Sequence, residues 1–311
     1  MKEVIKIEGG HALKGTVRMN GVKNVTVALI HESFLANGAV TIVVVPKKAD
    51  VEALAVVLRD LGVDVCVKAQ DHISIDPTHM QNRPMTQDAV QKLRASYYFM
   101  GALLGKYGRV EMKMPGGCYL GPRPIDLHLK GFEALGATVN YEHGAYIIEA
   151  KELVGTKIFL DISSVGATLN VMMAAVYAKG RTIIENAAKE PEIIDVATLL
   201  NKMGAQISGV GTNVITIDGV ETLGGCFHEI IPDRIEAATY IVLAAAAAEE
   251  MTVENIIPQH LESLLSKLEE IGVEMKVDID KVTIKGRNPH LKATDIKTLP
   301  YPGFATDIQQ P

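Results

Sequence analysis

A short segment rich in glycine and proline, MPGGCYLGPRP at residues 114–124, carries a thiol and a guanidinium five positions apart. Gly116 and Gly117 allow backbone dihedral angles that other residues avoid, and they keep side-chain bulk away from Cys118. The prolines restrict the chain around Arg123. A thiol beside an arginine indicates chemistry on an anionic substrate, although an ordinary turn with a half-buried cysteine explains these residues equally well.

Further candidate residues stand where apolar helices are predicted to begin. The backbone N–H groups and the dipole at a helix N-terminus attract anions, so these positions could bind phosphate or carboxylate groups. The residues at five successive helix starts are Lys23 and Asn24; Arg94; Ser164, Val165 and Gly166; Asp233 and Arg234; and Asp307. Each one taken singly is also typical of a surface helix cap. Their common position in successive helices favours a shared site.

These helices belong to a unit of about 70 residues that recurs along the chain. The unit reads as an apolar helix, a short strand, a loop, an amphipathic helix, a glycine hinge and two alternating strands. The hinges are Gly62, Gly136, Gly204 and Gly272, which are 74, 68 and 68 residues apart. A glycine suits the left-handed conformation that ends a helix. Apolar segments such as SVGATLNVMMAAV are apolar on every face, which predicts helices buried on every face.

The repeat predicts the fold class and the domain organisation. Three complete units occupy residues 22–220 and a fourth runs over 232–287, while a fifth begins near Asp307. We therefore expect an α/β (α+β) protein in which the apolar helices lie inside and the sheets and amphipathic helices lie outside. At 311 residues the chain is long enough for two domains.

The composition narrows the functional class. The chain is 48% hydrophobic with a net charge of −6, which argues against a general nucleic-acid binder. Three widely spaced cysteines, Cys66, Cys118 and Cys226, give neither a disulfide framework nor a zinc pattern. The N-terminus does not read as a signal peptide, and the longest apolar run, nine residues over 240–248, is too short to span a bilayer. We expect a cytoplasmic enzyme or binding protein.

Seven motifs, taken in order, resemble those of the UDP-N-acetylglucosamine 1-carboxyvinyltransferases, a family of enolpyruvyl transferases. The motifs are GVKN, LRAS, PGGCYLGPRPIDLH, SSVGAT, ENAAKEPEIID, PDRIEAATY and FATDIQQP. The resemblance implies two inside-out α/β barrels of three units each, with the substrate cleft between them. Residues 22–231 would form the first domain. Residues 1–21 and 232–311 would form the second, which is expected to be incomplete because a sixth unit is missing.

The reaction implied by the resemblance moves the enolpyruvyl group of phosphoenolpyruvate to the 3-hydroxyl of UDP-N-acetylglucosamine and releases phosphate. This is the first committed step of peptidoglycan synthesis, and it implies no metal and no organic cofactor. It calls for a general acid, a general base and cations around the anionic groups. The resemblance also implies alkylation of the active-site cysteine by the epoxide phosphonate fosfomycin.

The resemblance assigns roles to individual residues. Cys118 is implied as the general acid and Asp307 as the general base, which would also contact the sugar nucleotide. The implied phosphoenolpyruvate-binding residues are Lys23, Asn24 and Arg123. The implied UDP-sugar-binding residues are Arg94, Arg123, Pro124, Ile125, Asp126, Leu127, Ser164, Val165, Gly166 and Asp307.

The sequence departs from the family pattern in places. A lysine that some members carry before SSVGAT is replaced where Ile162 or Ser163 falls, and Ala49 stands where relatives often have a second lysine. Two other functions stay open, the first because its enzyme shares the fold and chemistry and the second because of the missing sixth unit. One is the shikimate-pathway enolpyruvyl transferase, whose cation-rich signatures are not found here. The other is a truncated, non-catalytic paralogue or fragment that binds UDP-sugar.

Overall fold

The computed structural model describes residues 4–45, 49–68, 71–84, 94–113 and 125–309. The helices are α1 (Lys23–Glu32), α2 (Ala49–Asp60), α3 (Tyr98–Tyr107), α4 (Asp126–Ala134), α5 (Val165–Ala175), α6 (Pro191–Met203), α7 (Arg234–Ala247) and α8 (Glu262–Ile271). The strands are β1 (Leu13–Arg18), β2 (Val40–Val43), β3 (Asp64–Lys68), β4 (His72–Asp76), β5 (Arg109–Lys113), β6 (Thr138–Glu142), β7 (Ala145–Glu149), β8 (Lys157–Phe159), β9 (Arg181–Glu185), β10 (Gln206–Ser208), β11 (Val214–Asp218), β12 (Phe227–Glu229), β13 (Ala248–Glu254), β14 (Glu274–Val277) and β15 (Lys281–Lys285). Helices and strands alternate along the chain, so the predicted α/β class is confirmed.

The predicted repeat is present four times in the described residues. Its copies are α1-β2-α2-β3-β4, α3-β5-α4-β6-β7, α5-β9-α6-β10-β11 and α7-β13-α8-β14-β15. All four hinge glycines have positive φ angles, from +84° at Gly62 to +111° at Gly204. A side chain would strain that conformation, so glycine ends each amphipathic helix and turns the chain into its hairpin.

The chain divides into two compact units. The larger unit comprises residues 21–231, and the smaller unit comprises residues 1–20 together with 232–311. The predicted domain boundaries, 22 and 231, lie within one residue of this division. The larger unit holds sheets of strand order β12-β2-β4-β3, β5-β7-β6 and β10-β11-β9-β8, and the smaller unit holds β1-β13-β15-β14.

Two strands pair with partners distant in the sequence. β1 directly precedes α1, yet in the smaller unit it runs parallel to β13, with Val17 opposite Val253. β12 directly precedes α7, yet in the larger unit it runs parallel to β2, with His228 opposite Ile42. The chain therefore enters the larger unit near residue 21 and leaves it near residue 231, and each unit closes on strands that are far apart in sequence.

The core of the larger unit is built around α1, α3 and α5. Residues 25–36, 98–104 and 167–175 are buried throughout, as the all-round apolar pattern predicted. The same prediction is wrong for α7 in the smaller unit, where Thr239, Leu243 and Ala246 are exposed. α7 packs there against strands β13, β15 and β1 and two short 3-10 turns. A sheet covers only one side of a helix, and the described residues leave the opposite side of α7 open.

Helices α3 and α5 approach each other at backbone contact distance. A Cβ atom built on Gly101 of α3 would lie 2.3 Å from the carbonyl oxygen of Asn170 in α5, so only glycine fits. The N–H of Gly101 donates to Asn170 Oδ1 at 2.8 Å, and Asn170 Nδ2 donates to Nδ1 of His128 in α4 at 2.8 Å. One buried amide therefore joins three helices of the larger unit.

A buried carboxyl group ends α1. Glu32 is fully buried, and neither of its carboxyl oxygens has a hydrogen-bond partner among the described residues. Burial raises the pKa of Glu32 well above its ordinary value, and the nearby carboxylate of Asp195 in α6 raises it further. Oδ1 of Asp195 itself lies 3.0 Å from Nε2 of His228, within hydrogen-bond distance. The surroundings of Glu32 in the folded chain therefore favour its protonated form.

We expect Glu32→Gln to stabilise the protein increasingly as the pH rises. The pKa of Glu32 is higher in the folded chain than its ordinary value of 4.5 in the unfolded chain. The wild type therefore has its full stability below pH 4.5 and loses stability as the pH rises toward the folded-state pKa. The free energy of unfolding of Glu32→Gln should exceed that of the wild type by more at pH 8 than at pH 5.5. Urea denaturation at both pH values measures this. The exposed Glu133→Gln is the matched control, and a gap that narrows with rising pH contradicts the assignment.

We expect Asn170→Ala to destabilise the larger unit. The substitution leaves the Gly101 N–H and the His128 Nδ1 without partners in a buried site, at a cost of about 2 to 4 kcal/mol for the two groups. Urea denaturation again gives the free energy of unfolding. Asn140→Ala, on an exposed position of β6, should change it by less than about 0.5 kcal/mol. Equal effects of the two substitutions would disprove the bridging role of Asn170.

Candidate active site

The predicted anion-binding positions do lie at helix starts. Lys23 and Asn24 are the first two residues of α1, and Arg94 opens a 3-10 turn, Arg94–Tyr97, that leads directly into α3. The side chains of these three residues lie outside what the structure describes. At the start of α5, Ser164 is the N-cap, and its Oγ accepts a hydrogen bond from the N–H of Ala167 at 3.3 Å. The N–H groups of Val165 and Gly166 are the first two of α5 and come before the N–H of Ala167 that Ser164 caps.

The cysteine segment falls outside the described residues, and so do the predicted site residues Cys118, Arg123 and Pro124 within it. Its flanking elements are described: β5 ends at Lys113, and α4 begins at Asp126. The segment therefore connects the strand of the second repeat to that repeat's amphipathic helix, as the repeat pattern predicted.

The residues that follow this segment have different exposures. Asp126 is exposed at the first position of α4, and Leu127 is half-buried. Ile125 is buried and packs into the core of the larger unit, so its side chain faces protein. Of these three predicted UDP-sugar residues, Asp126 has the side chain most accessible to a ligand, and Ile125 could contact one only through its backbone.

Three of the predicted segments come together in the larger unit. A Cβ atom on Gly166, at the start of α5, would lie 3.2 Å from Cε1 of His128 and 3.3 Å from Cε2 of Tyr97. The rings of Tyr97 and His128 meet edge to face, with centroids 5.4 Å apart. The start of α5, the start of α4 and the turn that follows Arg94 therefore share one contact point, and glycine at position 166 lets them meet.

A surface ion pair supports the same convergence. Lys130 Nζ of α4 lies 2.7 Å from Oδ2 of Asp161, three residues before the N-cap of α5. Ile162, where some relatives carry a lysine, is largely exposed, and Ser163 Oγ donates to the Ala187 carbonyl at 3.4 Å. The pair adds little stability because it is exposed. It does show that α4 and the segment preceding α5 run side by side.

His128 was not singled out from the sequence, and the structure places it at the centre of this contact. Burial lowers the pKa of His128 to about 4, although Asp126 acts in the opposite direction. The ring is therefore neutral at physiological pH. Because Nδ1 accepts a hydrogen bond from Asn170, the ring carries its proton on Nε2. A polar residue inside the apolar helix α5 was the sequence signal for this pair.

Asp307 lies in the smaller unit, in a 3-10 turn at Thr306–Ile308 where the repeat pattern predicted the start of a fifth apolar helix. Its side chain is about half exposed, at 49%, and its Oδ2 lies 3.0 Å from Nη2 of Arg234. Arg234 is the first residue of α7, and its side chain is 4% exposed. The carboxylate is therefore accessible and is oriented by a buried arginine.

Other types of site find no support in the described part of the chain. Its histidine, cysteine, aspartate and glutamate side chains form no cluster of three or more suited to a metal ion. None of its helices is both long enough and apolar enough to cross a lipid bilayer.

Comparison with known proteins gives a consistent result. A family model described as EPSP synthase (3-phosphoshikimate 1-carboxyvinyltransferase) matches residues 7–310. UDP-N-acetylglucosamine 1-carboxyvinyltransferase 2 of Bacillus cereus is 57% identical over 309 residues, covering 99% of this chain and 72% of the relative. The protein of the same name from Bacillus subtilis (strain 168) is 54% identical with the same coverage.

Solved structures share the fold at lower sequence identity. The enolpyruvyl transferase NikO from Streptomyces tendae superposes with a TM-score of 0.85 at 23% identity, covering 97% of this chain and 72% of that one. EPSP synthase from Acinetobacter baumannii gives a TM-score of 0.73 at 19% identity, covering 89% and 66%. These structural similarities support the fold, and the identity to the Bacillus proteins shows the family. The chain belongs to the UDP-N-acetylglucosamine 1-carboxyvinyltransferase family of enolpyruvyl transferases.

Proposed function

We propose that this protein transfers the enolpyruvyl group of phosphoenolpyruvate to the 3-hydroxyl of UDP-N-acetylglucosamine and releases inorganic phosphate. The observation that carries the proposal is the 57% identity, over 99% of the chain, to relatives named for this reaction. The convergence of the α4 start, the α5 start and the turn after Arg94 supports it, because the residues proposed to hold the sugar nucleotide lie in those segments. The product would enter peptidoglycan synthesis in the cytoplasm.

The addition step requires two proton transfers, and the elimination step that follows requires a third. As the 3-hydroxyl oxygen attacks C-2 of phosphoenolpyruvate, that hydroxyl loses its proton and C-3 gains one. The tetrahedral adduct then loses a proton from C-3, and the C–O bond to phosphate breaks. We assign the acid role at C-3 to Cys118 and the base role at the hydroxyl to Asp307. The exposed, anchored carboxylate of Asp307 suits a base that must reach a bound hydroxyl.

The negative charges of the two substrates require positive partners. We assign Lys23, Asn24 and Arg123 to phosphoenolpyruvate, and Arg94, Arg123, Pro124, Ile125 and Leu127 to the sugar nucleotide. The diphosphate would lie at the start of α5, where Ser164, Val165 and Gly166 present a helix N-terminus. A carboxylate such as Asp126 suits hydrogen-bond donors of the uracil or sugar rather than phosphate. These roles require no metal and no organic cofactor.

Two other functions make different predictions. The shikimate-pathway reaction uses the same enolpyruvyl donor, and its enzyme gives its name to the matching family model. Structures of that enzyme are only 19% and 20% identical to this chain, whereas the Bacillus cereus relative is 57% identical. A protein that binds UDP-sugar without catalysis would bind one substrate and release no phosphate. The acceptor requirement and turnover therefore distinguish all three.

We expect phosphate release from phosphoenolpyruvate to require UDP-N-acetylglucosamine and not to occur with shikimate 3-phosphate. A coupled assay for inorganic phosphate measures it, with the Bacillus cereus relative as a positive control. Cys118→Ala should reduce the rate by about 100-fold or more, the usual contribution of a general acid. Cys66→Ala, at an exposed position of β3, should leave the rate unchanged. Acceptor-dependent release by the relative but not by this chain would refute the proposal.

We also expect fosfomycin to alkylate Cys118 selectively and faster when UDP-N-acetylglucosamine is bound. A thiol near cationic groups ionises readily, and the thiolate opens the epoxide by forming a C–S bond as a C–O bond breaks. Mass spectrometry of the native protein locates the adduct. Cys226 serves as an internal reference because burial raises the pKa of its thiol, and exposed Cys66 serves as a second one. Comparable labelling at all three cysteines would show that Cys118 is not activated.

A further inference from the structure

The contact between Arg234 and Asp307 joins two residues 73 positions apart in the smaller unit. Nη2 of the buried arginine donates to Oδ2 of the half-exposed aspartate at 3.0 Å. The described residues give no hydrogen bond to the other carboxylate oxygen, Oδ1. Within the described part of the chain, one oxygen is therefore held by the arginine and the second is available to a ligand or to solvent.

The arginine is itself held in place at the start of α7. The residue before it, Asp233, caps the helix by accepting hydrogen bonds from the N–H groups of Ile235 and Glu236 at 2.9 and 3.0 Å. The N–H of Asp233 donates to the carbonyl of Asn20 at 2.8 Å. Beside it, the ring of Tyr301 lies 5.6 Å from Cζ of Arg234, within cation–π range. The first contacts fix the helix start from which the arginine side chain extends, and Tyr301 contacts the guanidinium itself.

The aspartate has much less support of its own. It occupies the middle of a three-residue turn, where the neighbouring Ile308 is buried and Thr306 and Asp307 are exposed. A short exposed turn does not by itself fix a side-chain rotamer. An arginine presents its donors in a rigid planar fork, so a hydrogen bond to it fixes the direction of a carboxylate better than a flexible lysine would.

We propose that Arg234 is the positioning residue for Asp307 in the enolpyruvyl transfer. It holds Oδ2, so that Oδ1 points steadily toward the hydroxyl whose proton it accepts. This inference rests on the proposed function, because it takes Asp307 as the base. In this role Arg234 acts through the carboxylate and is not itself assigned to a reacting atom. Misplacing a catalytic group by about 1 Å can cost roughly 100-fold in rate, which sets the scale of the expected effect.

The test is a double-substitution cycle in the full chain, using Arg234→Met, Asp307→Asn and the two combined. Arg234→Met should lower kcat by about 10- to 100-fold and leave the KM for phosphoenolpyruvate within about twofold. The combined variant should be no slower than Asp307→Asn alone, because residues that act as a unit give non-additive effects. Arg234→Lys should restore part of the lost kcat. Arg287→Met, at an exposed arginine of the same unit, is the matched control and should leave kcat unchanged.

The outcomes separate this inference from the proposed function. An inactive wild type refutes both. An active wild type in which Arg234→Met and Asp307→Asn lower kcat additively, or in which Asp307→Asn has no effect, refutes the positioning role alone. A rise in KM without a fall in kcat refutes it as well. Thermal unfolding identifies any variant that has not folded, and if Arg234→Met is one, Arg234→Lys takes its place in the cycle.

Discussion

The amide of Asn170 is the interaction on which the arrangement of the candidate site depends. Asn170 is part of α5. Its amide oxygen accepts a hydrogen bond from the N–H of Gly101 in α3, and its amide nitrogen donates one to His128 in α4. A buried amide that loses either partner incurs a large desolvation cost, so the three helices have one favourable mutual arrangement. The start of α5, the start of α4 and the turn after Arg94 are thereby fixed within the larger unit.

The sequence was sufficient for the repeat and for the starts of α1, α5 and α7, whereas Asp307 lies in a three-residue 3-10 turn. The hinge glycines, the amphipathic periodicity and the all-round apolar helices each follow from local rules, and those rules hold in the larger unit. Local rules do not say which helices pack against one another. The sequence therefore predicted a buried α7, although its residue Leu243 is 40% exposed. The environment of a helix depends on its neighbours, and a single sequence does not specify them.

The same distinction applies to the candidate site. Ser164 and Asp307 could be proposed from motif and position, because helix starts and short motifs are local features. The partner of Asp307 lies 73 residues away, and the two partners of Asn170 lie 69 and 42 residues away. A polar residue in an apolar helix indicates that some partner exists and does not identify it. For the same reason, Ile125 matched a family motif while the structure buries its side chain in the core.

The pairing of β1 with β13 bears on how the protein is made. Leu13 lies opposite Ala248, so the sheet of the smaller unit joins residues separated by 235 positions. At a synthesis rate of 5 to 20 residues per second, β1 leaves the ribosome roughly 10 to 50 s before its partner does. The larger unit also completes late, since β2 must await β12, but all of its segments precede β13. β1 is thus synthesised well before β13, and it cannot form its pairing in this sheet until β13 has been made.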